Sequence, residues 1–568
     1  MRLLCIHSAR LAVEAATAAN DTAAVRGPPD PVELSDCLTV AVTVEPGDLT
    51  DRVAAQAAAE VRETADQLAV DALALVPTEH LSDRPADDET TDRVLDAVEA
   101  ALTDGFTLFR APRDWYLALD LETKGHPYAA QSVRVTAADV PTEANPESRD
   151  WLVLTPDGEQ HEPLAESASL SGALEAVMNA GGEGTTGSTG SEPAVDSLLT
   201  DHGFASVDRD SPDGIRYLPR GALLRRSLRD VVEDRAAAAG ATPVGSEAAA
   251  GQTPGTAGGT GRALLEAMDW STVDAPVRLF ETRTEPTGRA SGSSRQPFRH
   301  QRTATVPTLT TMTSGGDSPR EEFETLARLA VDIHAVVGLD PVLTFRTSVE
   351  FWERSRDWLV DLVRSLDRPA LVDLRPEPPD WTIRLDLAVA PEGRSPVETG
   401  TVEIEPVPGT GETRSRLHCE PVGSVEAVTA ALLSRAAAMD RPQLPTWLAP
   451  TQVRFVPVES EHLDHCESLA EAVAAAGIRV DVDDRTDDTV GRRLAAATTD
   501  WVPYVAVVGD REVDGDQLKV QVRATGSEVT LTVTELVEAV QAAVGDTPRS
   551  RWSLPRRCSQ QPRFAETT

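Results

Sequence analysis

One segment near the C-terminus decides the class of fold. Residues 452–509 read QVRFVPVESEHLDHCESLAEAVAAAGIRVDVDDRTDDTVGRRLAAATTDWVPYVAVVG, in which valine-rich runs alternate with stretches of helical pattern. The predicted order is strand 452–458, helix 462–476, strand 479–483, helix 489–498, strand 504–509, strand 518–523 and helix 532–543. Strands that alternate with helices predict a parallel or mixed sheet, so this segment is predicted to be a compact α/β unit.

The N-terminal 145 residues show a similar alternation. Runs of strand type, among them MRLLCIHS (1–8) and CLTVAVTV (37–44), are followed by Ala-rich stretches of helical pattern. The predicted order is strand 1–8, strand 37–44, helix 52–69, strand 73–77, helix 93–104 and strand 115–127. We therefore predict a second α/β domain over residues 1–145.

The middle of the chain is ordered but interrupted. Three stretches rich in glycine, serine and threonine are typical of flexible linkers and loops, at 181–193, 245–262 and 285–297. The other patterns are a strand–turn–strand unit at 151–163, helices at 320–337, 348–366 and 423–438, and strands at 369–374 and 381–389. We divide the chain into segments 1–145, 146–194, 195–445, 446–545 and 546–568. The last segment is rich in arginine, and we predict that it is partly mobile.

The amino-acid composition indicates the solvent to which the protein is adapted and says little about its binding partners. The chain has 568 residues and a formal net charge of −39, from 53 basic and 92 acidic side chains. Only two of the basic residues are lysines, Lys124 and Lys519. An acidic, lysine-poor chain with 4% aromatic residues is typical of a halophilic protein adapted to molar salt. There the Debye length is about 3 Å, so a surface of like charges is tolerable and does not exclude a nucleic-acid partner.

Several classes of protein and site are excluded by what the sequence lacks. Five cysteines lie far apart without a CxxC pair, which argues against a disulfide framework and a cysteine zinc ribbon. No apolar run approaches about 18 residues and no leader pattern begins the chain, so we predict a cytoplasmic protein without a membrane span. His462, His465 and Cys466 share a helix face but lack a fourth ligand, so we predict no metal there.

Lys124 is the most informative residue for function. Arginine replaces lysine almost everywhere in this chain, yet a lysine is kept in TKGHP (123–127). A requirement for a compact ammonium or a titratable amine is one explanation, and chance retention is the other. His126 follows two residues later, on the same face of a strand. Two further candidates lie at strand ends, where α/β domains keep their sites: the pair His7-Ser8, and His80, for which a structural role is the alternative.

These residues resemble a known family. MRLLCIHS, VPTEHLS and APRDWYLALDLETKGHP resemble the N-terminal editing domain of archaeal threonyl-tRNA synthetase, which looks like a D-aminoacyl-tRNA deacylase and removes serine mischarged on tRNA(Thr). LPTWLAPTQVRFVPV and IRVDVDDR look like the anticodon-binding domain of class II synthetases. The resemblance implies an editing domain (1–145), a connector and linker (146–194), a class II core with an antiparallel sheet (195–445), an anticodon-binding domain (446–545) and an Arg-rich tail (546–568).

The resemblance also implies roles for particular residues. The side chains of Lys124 and His80 would be catalytic in hydrolysis of the seryl ester. Substrate would be bound by four residues of the quoted motifs, which are His7, Ser8, Tyr116 and His126. The RNA-facing edge of the anticodon-binding domain would carry four arginines, which are Arg485, Arg492, Arg493 and Arg523.

The middle segment departs from the family where ATP is bound. The helix within RYLPRGALLRRSLRDVVEDRAAAAGATPV (216–244) resembles class II motif 1, but the proline-bearing strand that should follow is missing. The Phe-Arg-x-Glu of motif 2 aligns with a Gly/Ser stretch, at Thr287, Gly288 and Ala290. The arginine that ends motif 3 and holds the γ-phosphate aligns with Ala427. We therefore predict a degenerate catalytic core.

The zinc ligands of the family, one Cys and two His, are also incomplete. The Cys-bearing segment aligns with a deletion at 245–262, the first His aligns with Thr310, and only His418 remains. Even an open zinc site needs three protein ligands, so we predict no metal and no cofactor.

The preferred hypothesis is an editing-only form of the family that hydrolyses Ser-tRNA(Thr) in trans and does not activate threonine. Its partners would be tRNA(Thr) and a separate threonyl-tRNA synthetase, and the resemblance allows a homodimer. A non-catalytic tRNA(Thr)-binding partner of that synthetase is the alternative, and an active threonine–tRNA ligase is the third hypothesis. The family usually has an acidic residue after KGHP, where this chain has Ala130, which weakens the editing hypothesis.

Overall fold

The computed structural model describes residues 1–19, 27–45, 51–68, 70–78, 80–82, 85–103, 105–125, 129–135, 150–161, 172–179, 195–207, 214–245, 259–268, 270, 274–286, 298, 301, 303–314, 318–375, 381–390, 396–407, 414–562 and 564. Two compact units can be distinguished, residues 1–143 and residues 144–288 with 292–568. Four of the predicted positions lie outside the described residues, namely His126, Thr287, Gly288 and Ala290, as does the linker 181–193.

The first unit is a six-stranded mixed sheet with two helices. Its elements are β1 (Arg2–Ala18), β2 (Val32–Thr43), α1 (Asp51–Leu68), β3 (Ala72–Pro77), α2 (Asp88–Leu102), β4 (Thr107–Arg110), β5 (Trp115–Thr123) and β6 (Ala130–Arg134). The strand order is β4-β3-β2-β1-β5, and β6 also pairs with β1. β2, β3 and β4 run parallel, whereas β1 is antiparallel to β2, β5 and β6. The predicted α/β class of this domain is confirmed.

The side chains of β2 change face at Asp36. Leu38 and Val40 pack into the cluster formed with α1 and α2, whereas Leu34 packs with Leu11 in a smaller cluster. Asp36 has a φ of 48°, in the left-handed region that aspartate tolerates better than most residues. The irregularity lies on the strand next to the point where β1 stops pairing with β6 and begins to pair with β5, which is at His7.

A ten-stranded sheet organises the larger part of the second unit. Its elements are β7 (Asp150–Leu154), β8 (Gln160–His161), α3 (Gly172–Asn179), α4 (Val195–Asp201), β9 (Ala205–Val207), β10 (Ile215–Tyr217), α5 (Pro219–Ala238), β11 (Thr242–Pro243), α6 (Gly259–Ala267), β12 (Val277–Pro286), β13 (Thr303–Ser314), α7 (Ser318–Val337), β14 (Val342–Ser348), α8 (Val349–Leu366), β15 (Ala370–Arg375), β16 (Ile383–Val389), β17 (Val397–Pro406), β18 (Arg414–Glu420) and α9 (Val425–Ala437). The order is β11-β12-β13-β18-β17-β16-β14-β15-β7-β8, and β9 pairs with β10 separately.

Two strands of this sheet differ from the prediction. β7 lies in the predicted connector but pairs with β15, with Val153 opposite Leu371, so it is part of the core sheet. The strand after the motif 1 helix is present as β11, where Pro243 lies parallel to Phe280 of β12. It escaped recognition because two residues are too short to show a period of two.

The C-terminal part of the second unit is a five-stranded sheet. Its elements are β19 (Val453–Pro457), α10 (Leu463–Ala475), β20 (Val480–Val482), α11 (Val490–Thr499), β21 (Tyr504–Val508), α12 (Asp510–Asp514), β22 (Leu518–Val522), β23 (Ser527–Leu531) and α13 (Val533–Val544), with 3-10 turns at Ser460–His462 and Cys558–Gln560. The order β20-β19-β21-β22-β23 confirms the predicted α/β unit. β23 was not predicted because, as a half-exposed edge strand, it has little apolar periodicity.

Residues 546–562, which we call the C-terminal strap, make defined contacts with the neighbouring sheet, and the partial mobility of the tail stays a prediction. Val482 N donates to Arg556 O at 2.7 Å, and Arg557 forms a parallel bridge to Val482, so the strap lies along the edge of β20. Ser559 N donates to Asp484 Oδ1 at 2.8 Å, and Cys558 is buried. Backbone pairing, which leaves no mark in composition, holds this segment. Among the helices that the structure describes, none combines the length and apolar content needed to cross a bilayer.

Candidate functional site

Two backbone hydrogen bonds fix the neighbourhood of Lys124. Lys124 N donates to His7 O at 3.0 Å, and His7 N donates to Ala129 O at 2.8 Å. Lys124 directly follows β5 and Ala129 directly precedes β6. The TKG segment is therefore held against His7 at the point where β1 exchanges one strand partner for the other.

The Asp36 carboxylate joins two of the predicted site residues. Its Oδ1 lies 3.1 Å from His7 Nε2 and also accepts a hydrogen bond from Lys124 Nζ. The hydrogen bond from Lys124, followed by that from His7, lowers the pKa of Asp36 below its usual range. The Asp36 side chain is 63% exposed, so these contacts contribute little to stability, and we interpret them as orienting the Lys124 ammonium and the His7 imidazole.

Sequence reasoning missed Asp36. The only signal was the polar pair Ser35-Asp36 within a run of strand type. An acidic residue in a strand is more often a solvated side chain, and its approach to Lys124 depends on a pairing between strands 88 positions apart.

In the part of the chain that the structure describes, two of the predicted substrate-binding residues direct no side-chain hydrogen bond to this cluster. Tyr116 pairs with Thr17 near the far end of β1, which the strand rise places about 25 Å from Lys124. Ser8 is fully buried, and its hydroxyl lies 2.8 Å from Thr39 Oγ1 and 3.2 Å from Ile6 O. Both residues belong to the quoted motifs, but position within a motif does not determine position in the sheet.

The structure does not bring His80 into the cluster. Pro77, at the end of β3, lies level with Leu3, four residues along β1 from His7. His80 is exposed, and its backbone N donates to Thr78 Oγ1 at 3.3 Å. Among the described residues no hydrogen bond or ion pair joins His80 to Lys124, and a catalytic role for His80 stays a prediction.

The two positions that align with the family's zinc-ligating histidines lie side by side in the sheet. Thr310 of β13 lies directly opposite His418 of β18, although 108 positions separate them in the chain. The first of these positions carries a hydroxyl, and His418 Nε2 lies 3.2 Å from Glu420 Oε1. Burial is the largest influence and lowers the pKa of His418, but the hydrogen bond and charge of Glu420, together with the charge of Glu403, outweigh it and raise that pKa. One imidazole beside a threonine does not supply the three protein ligands that even an open zinc site needs.

Helix α6 closes the sheet at this point. The Glu281 carboxylate, which is 6% exposed, accepts hydrogen bonds from Thr260 N at 3.2 Å and Gly261 N at 3.0 Å. A Cβ on Gly261 would lie 3.4 Å from Thr310 Oγ1, so the first turn of α6 packs directly on that strand. The position that should face a bound amino acid is covered by the protein's own helix.

The position that aligns with the motif 3 arginine carries the methyl group of Ala427 and no cation. Ala427 is 1% exposed in the first turn of α9, and its backbone N donates to Ser424 Oγ at 3.0 Å. Its neighbour Glu426 is 2% exposed and accepts hydrogen bonds from Thr305 N, at 2.7 Å, and from Arg225. Glu426 therefore already engages Arg225, and Ala427 beside it offers a phosphate no cation.

The four arginines predicted to face RNA have different environments. Arg493 is 1% exposed, and its Nη1 donates to Pro457 O at 2.6 Å and to Asp483 O at 3.2 Å, so it is part of the interior. Arg523 is half-buried and donates to Pro442 O at 2.6 Å. Arg485 pairs with Asp483, and only Arg492, whose side chain is 78% exposed, extends into solvent.

Glu461, His462 and Asp510 lie close enough together to hold a cation. The hydrogen bonds of His462, however, place a proton on the ring nitrogen that would have to bind it. Glu459 N donates to His462 Nδ1 at 3.1 Å, which places the proton of the neutral ring on Nε2, and Nε2 lies 2.9 Å from Asp510. Cys466 is fully buried, and burial raises the pKa of its thiol to about 12. The absence of a metal site at 462–466 stays a prediction.

Known families match both ends of the chain. Residues 1–135 match the archaea-specific editing domain of threonyl-tRNA synthetase, and residues 452–543 match the anticodon binding domain. A protein named threonine–tRNA ligase from Methanoculleus marisnigri is 31% identical over 625 residues, covering 99% of this chain and 100% of that protein. The protein of the same name from Methanopyrus kandleri is 31% identical over 635 residues, with coverage of 99% and 100%.

The alignment with the Methanoculleus protein is longer than this chain, 625 against 568 positions, so more than fifty of its positions have no residue here. Identity at this level over both whole chains nevertheless establishes the relationship. The chain belongs to the archaeal-type threonyl-tRNA synthetase family, with that family's editing domain and anticodon-binding domain.

Proposed function

We propose that the protein hydrolyses Ser-tRNA(Thr) to serine and tRNA(Thr) in trans and does not form threonyl-adenylate. The observation that carries this proposal is a contrast between two sites. The editing domain retains an ammonium, that of Lys124, held beside an imidazole by Asp36. The class II core has an alanine methyl, that of Ala427, where the family holds a phosphate with an arginine.

The reaction is an ester hydrolysis. A water oxygen bonds to the seryl carbonyl carbon, the bond from that carbon to the ribose oxygen breaks, and a proton passes to the ribose oxygen, with the neighbouring 2′-OH assisting. Lys124 Nζ has three N–H donors, of which Asp36 Oδ1 engages one. The others are available to hold the ester carbonyl or the water. Backbone N–H groups would stabilise the developing oxyanion.

Discrimination against threonine in the editing pocket would rest on its extra methyl group. One methyl is worth about 1–3 kcal/mol in an apolar pocket. The separate synthetase would attach threonine to most of the tRNA(Thr). The editing pocket would then need to exclude only Thr-tRNA(Thr), whose side chain is bulkier than that of serine.

The altered core supports the absence of ligase activity. Adenylate formation develops negative charge on phosphate, and removing one preorganised donor costs about 10²–10³ in rate. Ala427 and Thr310 remove two groups that the family uses, and α6 packs on the second. We infer that this core is a scaffold, that a separate threonyl-tRNA synthetase charges the tRNA, and that the C-terminal domain recognises tRNA(Thr).

The decisive measurement combines two assays at molar KCl. We expect deacylation of Ser-tRNA(Thr), little deacylation of Thr-tRNA(Thr), and no threonine-dependent ATP–pyrophosphate exchange. The relatives are named threonine–tRNA ligases, so ligation is the competing function, and exchange above background would establish it. Absence of both activities with retained tRNA binding would leave the non-catalytic tRNA-binding partner.

A further inference from the structure

The C-terminal strap departs from the charge of the rest of the chain. Of the residues between Asp546 and Glu566, none is acidic and five are arginines. The whole chain, by contrast, has a formal net charge of −39. The strap also lies beyond residue 543, where the match to the anticodon binding domain ends. Neither its order nor its charge is explained by the functions described above.

Two anchors hold the middle of the strap in place. At one end, the Arg549 guanidinium lies 3.4 Å from Ala476 O, just before β20 begins. At the other end, Arg556 O accepts from Val482 N, and Arg557 Nε donates to Glu467 at 2.6 Å. Residues 549–557 therefore run alongside β20 in the same direction, as an ordered ribbon at the edge of the sheet.

The ribbon presents an unused aromatic face and unused cations. Trp552 is 61% exposed, the most exposed tryptophan or phenylalanine that the structure describes. Arg551 and Arg556 are exposed on either side of it, and within the described part of the chain no carboxylate pairs with either guanidinium. An exposed tryptophan is costly in water, and here the Arg549 side-chain contact on one side and the Arg556 backbone hydrogen bond on the other hold it in the open.

We propose that residues 549–556 bind an unpaired segment of RNA, with Trp552 as a stacking platform for a base and Arg551 and Arg556 as phosphate contacts. Base–aromatic stacking combined with a cationic strand is how proteins hold single-stranded nucleic acid. This inference rests on the proposed function, because it assigns a contact surface for the tRNA that the protein is proposed to edit.

The exposed aromatic face favours RNA over an acidic partner protein or a second copy of this chain, because charge alone would attract all three. In molar salt, phosphate contacts are weakened by counterion release, so binding must depend more on stacking. Trp552 supplies a surface for stacking. Of the four arginines predicted to face RNA, Arg493 is buried and Arg485 is paired with Asp483. The strap thus supplies an aromatic surface, which the four arginine positions lack, and exposed cations in addition to Arg492.

The test measures binding of a labelled tRNA(Thr) transcript to the full chain across a series of KCl concentrations. Trp552→Ala is expected to weaken binding about 5- to 150-fold at every salt concentration, the loss of one stacked base. Trp552→Phe should retain most of the affinity. The double variant Arg551→Gln/Arg556→Gln should lower the salt slope by about 0.7–0.9 per lost contact. Arg354→Gln, an exposed arginine of α8, is the matched control.

Each result separates the strap from the proposed function. Wild-type affinity in Trp552→Ala, with the wild type itself binding tRNA, would overturn the strap proposal and leave editing untouched. A wild type that neither binds tRNA(Thr) nor deacylates Ser-tRNA(Thr) would overturn the proposed function. Unchanged tRNA affinity with an altered sedimentation coefficient in Trp552→Ala would assign the tryptophan to a contact between chains and refute the RNA assignment.

Discussion

The Asp36 carboxylate accepts hydrogen bonds from Lys124 Nζ and from His7, on an irregularity of β2 that faces the start of the β5–β6 connection. This relationship gives a physical reason for a lysine in a chain that otherwise uses arginine. A guanidinium would engage the carboxylate with two parallel N–H groups and be fixed in that ion pair. An ammonium uses one donor and keeps the others for a substrate.

We predict that Lys124→Arg loses most deacylation of Ser-tRNA(Thr) and leaves tRNA binding nearly unchanged. A planar guanidinium paired with Asp36 would displace the cation from the ester, and an error of about 1 Å can cost about 10²-fold in rate. Single-turnover hydrolysis at constant salt measures the effect. Lys519→Arg is the control, because the Lys519 side chain is 57% exposed and pairs with Glu528 on a different sheet. Wild-type rates in both variants would exclude a catalytic Lys124.

We predict that Asp36→Asn lowers the single-turnover rate about tenfold or more without changing the melting temperature. Asparagine tolerates the left-handed backbone at this position, so the variant removes the charge and spares the strand. The side chain is 63% exposed, and such substitutions change stability by about 0.5 kcal/mol at most. A fall in melting temperature that accounts for the lost activity would show that Asp36 supports only the fold.

Secondary structure was largely predictable because each long element carries its own period. Helix α7 was expected at 320–337 and is found at Ser318–Val337, since its apolar residues recur on one face. The elements that were missed lack such a signal. β11 has two residues, and β23 is a half-exposed edge. The strap is held by backbone hydrogen bonds to β20, which depend on tertiary structure and not on its own composition.

The site was only partly predictable for a related reason. Lys124 and His7 were identified from sequence, and the structure brings them together through Asp36, which was not. Tyr116 was placed in the site because it shares a motif with Lys124. In an extended strand, however, eight residues span about 25 Å. Proximity along the chain favours contact in a helix or a turn but opposes it along a strand.

We predict that the core loses stability in mild acid because of His334. This residue is fully buried in α7, where Nδ1 lies 2.8 Å from Ala330 O and Nε2 lies 2.8 Å from Thr399 Oγ1. Burial lowers the pKa of His334 to about 4. An unfolded histidine has a pKa of about 6.5 and binds its proton first, so stability present at neutral pH is lost as the pH falls from about 6.5 towards 4.

The size of this effect follows from the shift and amounts to about 3 kcal/mol. Urea unfolding of the wild type and of His334→Met at a series of pH values, in constant KCl, measures it. The difference in free energy of unfolding between the two proteins should change by about this amount between neutral pH and pH 4, in favour of the variant at low pH. A difference that is independent of pH would contradict the assignment to His334.

The neighbours Arg492 and Arg493 provide a matched pair for the last prediction. Arg493 is 1% exposed and its guanidinium donates to the carbonyls of Pro457, Val458 and Asp483. Arg493→Ala leaves those buried acceptors unpaired, and we expect it to destabilise the protein by about 2–4 kcal/mol. The Arg492 side chain is 78% exposed and pairs only with Asp488 one turn earlier, among the residues that the structure describes. Arg492→Ala should therefore change stability by about 0.5 kcal/mol at most.

For tRNA binding we expect the reverse order: Arg492→Ala should have the larger effect and Arg493→Ala the smaller. Arg492→Ala removes an exposed cation, so the affinity for tRNA(Thr) should fall and the salt slope should decrease by about 0.7–0.9. Arg493→Ala should leave the salt slope unchanged in whatever fraction of the protein stays folded, because its charge never reaches the solvent. Thermal melting and salt-dependent binding of both variants decide the point. A reduced salt slope with an unchanged melting temperature in Arg493→Ala would place that arginine at the RNA surface, as the sequence had indicated, and would show that α11 moves when tRNA binds.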